Sequence, residues 1–128
     1  MLGNLAAGMN GFYDWNICLN EQGGPNYVGN YCDAPIIYNR HTGELEYKLS
    51  YDYIGHCSRY IRPGAQGIGT TKYRDDISLA AFENPDGQIV VLILNDKREP
   101  LCTWIRCLGY NIRLDLDKDS MTAILIDI

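Results

Sequence analysis

The chain has 128 residues, of which 46% are hydrophobic, and its sixteen acidic and eleven basic residues give a net charge of −5. This length and apolar content suffice for one ordinary globular domain, or for a small domain with part of another, and exclude a disordered tail. The charges are interspersed without any Lys/Arg cluster, which argues against DNA or RNA as a partner because phosphate backbones require clustered positive charge.

The amino-terminal residues and the cysteines bear on the compartment. The opening MLGNLAAGMNGFY has no basic region and only a brief apolar stretch, so it does not resemble a signal peptide, and no run reaches membrane-spanning length. The cysteines are odd in number and lack a C-x-x-C pair, which favours reduced thiols over a disulfide framework or a zinc site: Cys18, Cys32, Cys57, Cys102 and Cys107. We therefore expect a soluble chain without metal or cofactor, located in the cytoplasm, with a secreted parent protein left open.

The first distinctive segment is GFYDWNICLNEQGGPNYVGN at residues 11–30, an aromatic and amide-rich run closed by a Gly-Gly-Pro turn. Sugars present flat C–H faces and many hydroxyl groups, so a sugar site needs rings to stack on and amides or carboxylates to pair with. Five consecutive residues supply both kinds of group: Phe12, Tyr13, Asp14, Trp15 and Asn16. The segment is a candidate carbohydrate-binding loop, and its alternative is a buried aromatic strand end with a structural turn.

The next elements along the chain are a short strand and a helix. The run Pro-Ile-Ile-Tyr at residues 35–38 predicts a strand that is entered through proline, and Thr42-Gly43 then breaks the chain. Over residues 45–61 apolar and aromatic side chains recur at intervals of three and four, which predicts one amphipathic helix. Pro63-Gly64 is expected to stop this helix.

Beyond Gly64 the pattern becomes that of strands. We predict six strands, rich in Ile, Val, Leu, Thr and Tyr and separated by turns, at residues 68–73, 77–83, 88–95, 101–108, 110–116 and 121–126. Strands at such close spacing form an antiparallel sandwich or meander. The run IVVLIL at residues 89–94 has no polar alternation, so we expect a central strand that is covered on both faces.

Several motifs that superficially resemble metal-binding, catalytic or phosphate-binding sites are better explained as structural features. His41 and His56 have no partner spacing for a metal site or a Ser-His-Asp arrangement. The D-x-D-x-D run at residues 115–119 lacks the glycine and the final acid of a calcium loop, which favours a charged hairpin turn. The glycines at positions 64, 67 and 69 follow a helix and precede a strand, the reverse of a phosphate loop, and predict a linker.

A pair of carboxylates for glycoside hydrolysis is not evident either. Such a reaction needs one acid and one nucleophile or base on opposite sides of the sugar. The acids in and just after the candidate loop are Asp14, Glu21 and Asp33, and their positions in the sequence do not indicate a catalytic pair. The residues alone thus indicate a ligand loop without catalytic machinery.

The residue order of this loop resembles that of a known family. The order D-W-N-x-x-L-N-x-x-G-G-P-N, followed by D-x-P-I-I, is similar to the segment that closes the catalytic barrel in glycoside hydrolase family 30, the glucosylceramidase-like β-glycosidases. Residues 51–64 are similar to the last barrel helix of the family and its exit. Residues 82–87 and the following strand resemble its β-sandwich side domain. The resemblance covers residues 8–126.

For the fold, the resemblance implies a mainly β chain. An antiparallel β-sandwich domain would occupy residues 64–128, preceded at residues 1–63 by a loop, strand and helix that are the remnant of a (β/α)8 barrel. Members of the family are retaining glycosidases whose two catalytic glutamates lie on earlier barrel strands, so the resemblance places no catalytic residue in this chain. The family sandwich also takes strands from the amino-terminal part of the full enzyme, so we expect an open sheet edge that favours homodimers or strand exchange.

For the site, the resemblance implies one wall of a glycone pocket. Trp15 matches the tryptophan that lines this pocket, and Asn30 matches an asparagine at the same pocket. Asp14 and Asn16 are added to this substrate-binding set, with structural support as their other role. Position 12 is Phe, whereas the resemblance to glucosylceramidases leads us to expect Trp there. The identity of the bound sugar is therefore not assigned.

Three hypotheses about function follow. In the first, the chain is the carboxy-terminal portion of a family 30 enzyme that hydrolyses β-glucosidic bonds with retention and is inactive without the rest. In the second, it is a stand-alone carbohydrate-binding or interaction module. In the third, it is a subunit of a split glycosidase. The expected ligand is a β-glucoside or related carbohydrate, and the choice among glucosylceramide, other β-glucosides, β-xylosides and β-1,6-glucan stays open.

Overall fold

The structure is a computed structural model that describes all residues from 1 to 128. Two compact units are present, one formed by Gly11–Gly55 and the other by Met1–Asn10 together with His56–Ile128. The helices are α1 (Leu2–Ala6) and α2 (Leu49–Tyr60), neither of which is long and apolar enough to cross a membrane. The strands are β1 (Cys18–Asn20), β2 (Ile36–Tyr38), β3 (Leu45–Tyr47), β4 (Gln66–Ile68), β5 (Ile77–Glu83), β6 (Ile89–Asn95), β7 (Leu101–Cys107), β8 (Tyr110–Leu116) and β9 (Ser120–Ile126). The division between domains at residue 63 stays a prediction.

The Gly11–Gly55 unit contains a three-stranded sheet in the order β1-β2-β3. β1 and β2 run parallel, with Leu19 opposite Ile37, and β3 is antiparallel to β2. Leu19, Ala34 and Ile37 form a small buried core. The strand predicted at residues 35–38 is confirmed as β2, whereas the three residues of β1 are too few to show an alternating pattern in the sequence.

The predicted helix at residues 45–61 is wrong at its beginning. Helix α2 starts at Leu49, and Leu45–Tyr47 forms strand β3 instead. Leu45 lies four residues before Leu49 and so continues the helical interval, although Leu45 and Tyr47 also alternate as in a strand. Pairing with β2 decides the outcome, because a turn at residues 39–44, closed by Asn39 N–H donating to the Glu44 carbonyl at 2.9 Å, brings the two strands together.

The larger unit is built on a four-stranded antiparallel sheet in the order β4-β5-β6-β9. β6 lies between β5 and β9, and three of its side chains, Val90, Leu92 and Ile93, are 0% exposed. A strand with neighbours on both edges and cover on both faces can be apolar throughout. The expectation of a central, doubly covered strand at residues 89–94 is therefore confirmed.

The two faces of this sheet have different covers. On one face, side chains of β5 and β6 pack with Leu2 of α1 and with Cys57 of α2, and burial raises the pKa of the Cys57 thiol. On the other face, side chains of β5, β6 and β9 pack against β7 and β8, which form a two-stranded antiparallel sheet. Sheet-on-sheet packing of this kind is a β-sandwich. The mainly β fold with an antiparallel sandwich is thus confirmed.

Five of the six predicted strands are confirmed to within one residue, and the first is wrong. β4 covers only Gln66–Ile68, and residues 69–73 form no strand because pairing with β5 ends at Ile68 opposite Ala81. Gly67 consequently lies in a strand and not in the predicted linker. Helix α1, which was not predicted, has five residues and is too short for a helical period to be recognised.

The turn between β5 and β6 is tied to the end of α2. The side chain of Asn84, 2% exposed, accepts a hydrogen bond from the Arg62 N–H at 3.0 Å and donates one to the Tyr60 carbonyl at 3.0 Å. Carbonyls in the last turn of a helix have no partner within the helix, so this amide satisfies one of them. An ion pair between Arg62 and Asp86 joins the same two elements.

The acidic run predicted as a hairpin turn is divided between two elements. Asp115 lies in β8, where its carboxylate accepts a hydrogen bond from Arg113 at 3.1 Å. The Cys102 thiol and the Arg113 guanidinium lower the pKa of Asp115. Asp117 and Asp119 lie between β8 and β9, so the turn itself is shorter than predicted.

Candidate functional site

The candidate loop is shaped by the side chain of Asn20 at the end of β1. Its Oδ1 accepts hydrogen bonds from the N–H groups of Gln22 and Gly24, at 3.0 and 2.9 Å. The Asn20 carbonyl also accepts a hydrogen bond from the Gly23 N–H at 2.9 Å. A short amide side chain that bonds to the following backbone is the usual way to form a tight turn. Asn20 therefore has a structural role in the loop.

Gly23 joins the two halves of the loop. It has φ +78°, a conformation that side-chain-bearing residues rarely adopt, and a Cβ at this position would meet the backbone of Cys32, with the Cys32 nitrogen at 3.1 Å and the carbonyl oxygen closer still. The Cys32 N–H donates a hydrogen bond to the Gly23 carbonyl at 3.1 Å. The Gly-Gly-Pro sequence thus serves a close approach of two backbone segments.

Glu21 forms an ion pair with Arg40 within the same unit. Its carboxylate accepts hydrogen bonds from Arg40 Nη2 at 2.9 Å, from Arg40 Nε at 3.1 Å and from the Arg40 backbone N–H at 3.1 Å. The hydrogen bonds from the Arg40 side chain and backbone lower the pKa of Glu21 to about 2. A carboxylate that stays charged at such acidity cannot donate a proton near neutral pH.

Asp33 is held in the same way. It forms an ion pair with Lys48, and the hydrogen bond from the Lys48 ammonium group lowers the pKa of Asp33. Its Oδ1 also accepts a hydrogen bond from the Ala34 N–H at 3.0 Å. Glu21 and Asp33 therefore connect parts of this unit, and neither has the raised pKa of a glycosidase acid.

Trp15 and Asp14 lie next to each other at the exposed start of the loop. Trp15 is 76% exposed, and its backbone N–H donates a hydrogen bond to Asp14 Oδ1 at 2.9 Å. Asn16 follows with φ +69°, a left-handed conformation that asparagine tolerates better than most residues. An indole ring so exposed in a folded loop is available for stacking. The arrangement is compatible with Asp14 and Asn16 as supports of Trp15.

Asn30 lies on the far side of the Gly-Gly-Pro turn and is exposed. The turn that precedes it is closed by Asn26, whose Oδ1 accepts a hydrogen bond from the Gly29 N–H at 2.6 Å. The side-chain amides of Asn16 and Asn30 take no part in these turn hydrogen bonds, in contrast to those of Asn20 and Asn26. The sugar-binding roles of Trp15, Asn30, Asp14 and Asn16 stay predictions.

The scaffolding residues of the loop were missed in the sequence. Asn20 and Glu21 lie within the N-x-x-G-G-P-N segment at residues 20–26. The Gly-Gly-Pro turn that follows them was the available sign that nearby side chains serve the turn. The partners Arg40 and Lys48 are distant in sequence and had no such signal.

A separate apolar cleft lies in the sandwich unit. Its volume is about 700 Å³, and it opens between the face of the four-stranded sheet and the edge of β7. Apolar side chains from both sheets line it, among them Leu79, Val91 and Ile105. It is distinct from the candidate loop and was not predicted from the sequence.

Comparison with known proteins gives two family matches. The glycosyl hydrolase family 30 TIM-barrel domain matches residues 1–61, and the glycosyl hydrolase family 30 beta sandwich domain matches residues 64–122. Lysosomal acid glucosylceramidase of Mus musculus is 35% identical over 97 residues, which cover 75% of this chain and 19% of that protein.

Two solved structures are also similar. The crystal structure of SrfJ from Salmonella typhimurium has a TM-score of 0.91 and 35% identity, covering 98% of this chain and 28% of that one. The endo-beta1,6-glucanase BT3312 has a TM-score of 0.86 and 27% identity, covering 95% of this chain and 28% of that one. This chain therefore spans 19 to 28% of the length of these three proteins.

Proposed function

This chain belongs to glycoside hydrolase family 30. We infer that it supplies two parts of a retaining β-glycosidase. The first part is one wall of the glycone pocket, and the second is the side sandwich of the enzyme. The observation that carries the proposal is the exposed indole of Trp15 on a loop shaped by its own Asn and Gly residues. The aromatic face would take the sugar ring and the amide of Asn30 would bind a hydroxyl group.

The proposed substrate is a β-glucoside. The mouse relative is named for glucosylceramide, which makes this glycolipid the first candidate. The glucanase BT3312 is named for a β-1,6-linked polymer, which makes such a glucan the second. Both carry a β-linked glucose whose flat face can stack on an indole ring.

We further propose that these 128 residues alone do not hydrolyse glycosides. Hydrolysis with retention needs one carboxylic acid with a raised pKa and one carboxylate nucleophile close to it. Glu21 and Asp33 are charged partners of Arg40 and Lys48, which supports neither role. The resemblance to the family implies that glutamates on other barrel strands of the parent enzyme do this chemistry.

The second candidate function is carbohydrate binding without catalysis, as a stand-alone module or as a subunit of a split glycosidase. The loop favours it in one respect, because its turns are held by Asn20, Asn26 and Gly23 of the same unit. The coding sequence directly upstream separates the alternatives. A barrel encoded in frame supports the parent enzyme, a barrel in a separate reading frame supports the split enzyme, and neither supports the module.

The activity proposal predicts binding without turnover. The 128-residue chain incubated with 4-nitrophenyl β-D-glucoside should release no nitrophenol above the buffer rate. In a ¹H–¹⁵N correlation spectrum, methyl β-D-glucoside should shift the backbone amides of Asn16 and Asn30 together with the Trp15 indole signal. Trp15→Ala should weaken this binding about fivefold, since stacking on an aromatic ring contributes about 1 kcal/mol.

The matched control is Tyr47→Ala, which removes an aromatic side chain that is 54% exposed on β3 of the same unit and lies outside the candidate loop. It should leave the sugar-induced shifts unchanged. Clear turnover by the chain alone would contradict the inactivity proposal, and equal effects of the two substitutions would contradict the role of Trp15.

We also propose a self-association surface, the outer edge of β9. β9 is an edge strand of seven residues, Ser-Met-Thr-Ala-Ile-Leu-Ile, without a charged side chain or a proline. The other edges are better protected, since β4 has three residues, β7 carries Arg106 and β8 carries Arg113 and Asp115. An uncharged edge strand is a template for pairing with another chain. The occupant is a second copy, because antiparallel pairing about Ala123 matches the strand with itself.

The edge proposal predicts a dimer in solution. Light scattering coupled to size exclusion should give twice the chain mass of 14.5 kDa at high protein concentration. Leu125→Lys, at a position that is 44% exposed on β9, should shift the protein to a monomer because it places a charge in the paired edge. Gln66→Lys on the short edge β4 is the control and should leave the dimer intact. A monomer at every concentration would refute the proposal.

A further inference from the structure

The two-stranded sheet of β7 and β8 presents one large aromatic ring to solvent. Burial alternates along β7, so that Leu101, Thr103, Ile105 and Cys107 are partly buried while the residues between them are exposed. Trp104 is on the exposed side and its side chain is 63% exposed. Together with Trp15 it accounts for both tryptophans of the chain. The ring also borders the apolar cleft of this unit, whose lining includes Trp104 and Arg106. Its exposed face is large enough to take a ligand by stacking.

Polar side chains surround this ring in a defined register. The outer face of the two strands, called the ribbon face here, consists of Cys102, Trp104, Arg106, Asn111, Arg113 and Asp115. Trp104 is directly opposite Arg113, and Arg106 is directly opposite Asn111. Residues opposite each other in an antiparallel pair have Cβ atoms about 5 Å apart, so all four side chains belong to one patch.

The two arginines of the ribbon face differ in their partners. Arg113 donates a hydrogen bond to Asp115 at 3.1 Å, and this ion pair keeps the guanidinium on the face beside the ring. Arg106 forms no ion pair, so its N–H donors are available. Asn111 adds an amide that can both donate and accept. A stacking ring bordered by unpaired donors and an amide is the set of groups that a sugar requires.

We propose that the ribbon face is a second carbohydrate-binding site, where one sugar ring of a linear β-glucan stacks on Trp104 and its hydroxyl groups pair with Arg106 and Asn111. This site is in the sandwich unit, whereas Trp15 belongs to the Gly11–Gly55 unit. It would hold a polymeric substrate by a part that is not being cleaved. The proposal rests on the proposed β-glycosidase function only for the choice of glucans as ligands.

The size of the ribbon face favours a glycan over a protein partner. Two paired strands of seven residues form a surface about 23 Å long and about 10 Å wide, or roughly 230 Å². A stable protein interface buries about 800 Å² on each partner. A single exposed indole, flanked along the strands by Cys102 and Arg106, matches the footprint of one sugar chain better than that of a protein surface.

The experiment is a titration of the ¹⁵N-labelled chain with cellotetraose, laminaritetraose and gentiotetraose, followed in ¹H–¹⁵N correlation spectra. The two indole N–H signals of Trp15 and Trp104 report the two sites separately. At least one tetrasaccharide should shift the Trp104 indole and the amides of Arg106 and Asn111 in a saturable manner. Arg106→Ala should weaken this binding about fivefold because one charged hydrogen-bond donor is lost.

Two substitutions make the assignment specific. Trp104→Ala should weaken the binding reported by Arg106 and Asn111 and leave the shifts around Trp15 unchanged, while Trp15→Ala should weaken only the binding reported around Trp15. Ile128→Ala, which shortens a side chain of the same unit that is 81% exposed and lies outside both the ribbon face and the apolar cleft, should change neither set.

The outcomes that overturn the proposal are equally distinct. Absence of any saturable shift at Trp104 refutes the site. Shifts at Trp104 that depend on protein concentration without sugar assign the ribbon face to self-association and also refute it. A response at Trp104 without one at Trp15 supports this site while contradicting the proposed glycone wall, so the two proposals fail independently.

Discussion

Gly23→Ala is expected to destabilise the candidate loop by about 3 kcal/mol. Alanine at a left-handed φ costs roughly 1 to 2 kcal/mol, and loss of the hydrogen bond from the Cys32 N–H to the Gly23 carbonyl costs about 1 more. The new methyl group would also overlap the Cys32 backbone, so the two halves of the loop must separate. Amide hydrogen exchange at Gly24 and Cys32 is the measurement, because it reports local opening when a chain has two units.

Gly29→Ala is the matched control for this substitution. Gly29 has φ +73°, close to the +78° of Gly23, but nothing lies within 4 Å of the Cβ that alanine would add. It should therefore show the backbone cost alone, roughly 1 to 2 kcal/mol. If the two variants accelerate exchange equally, the close approach to Cys32 has no energetic role in the loop.

Leu92→Ala should cost about 3 kcal/mol of the free energy of unfolding of the sandwich unit. Leu92 is 0% exposed in the central strand β6, between Ala80 of β5 and Ala123 of β9. Its small neighbours leave the removed volume without a large side chain to fill it, so a cavity remains. Such a loss is a large fraction of the stability of an ordinary domain, which is about 5 to 15 kcal/mol.

The measurement for Leu92 is urea unfolding followed by Trp104 fluorescence in a Trp15→Phe background, so that the signal comes from the sandwich unit. Ile68→Ala is the control, because it shortens an aliphatic side chain that is 37% exposed on edge strand β4 of the same sheet. The control should lose less than about 1 kcal/mol. Similar losses in the two variants would mean that β6 is not the centre of the core.

Much of the sandwich was predictable because its strands are long enough to show their patterns. The apolar run of β6 indicated cover on both faces, and the runs rich in Ile, Leu and Tyr between turns indicated the strands β7 and β8. Short elements were not predictable in this way. Leu45 continues the helical interval because it lies four residues before Leu49, but pairing with β2 makes residues 45–47 a strand.

The candidate site was predictable only in part. The order of residues in the loop identified Trp15 and Asn30 through the family resemblance, and it also contained Asn20 and Glu21 without revealing their tasks. Asn20 proved to be a turn former, and Glu21 proved to be the partner of Arg40. Amide and carboxylate groups suit a sugar or a backbone equally well, and composition does not distinguish the two uses.

The family, the β-rich second half and the central strand of the sandwich can all be predicted from the amino-acid sequence. These follow from residue order and from local periodicity, which report what each side chain faces. Only the folded chain shows which carboxylates form ion pairs, which strands lie at the sheet edges and which tryptophan lies beside arginines on the ribbon face. Those properties depend on residues that are distant in the chain and meet only through strand pairing and register, which no local pattern encodes.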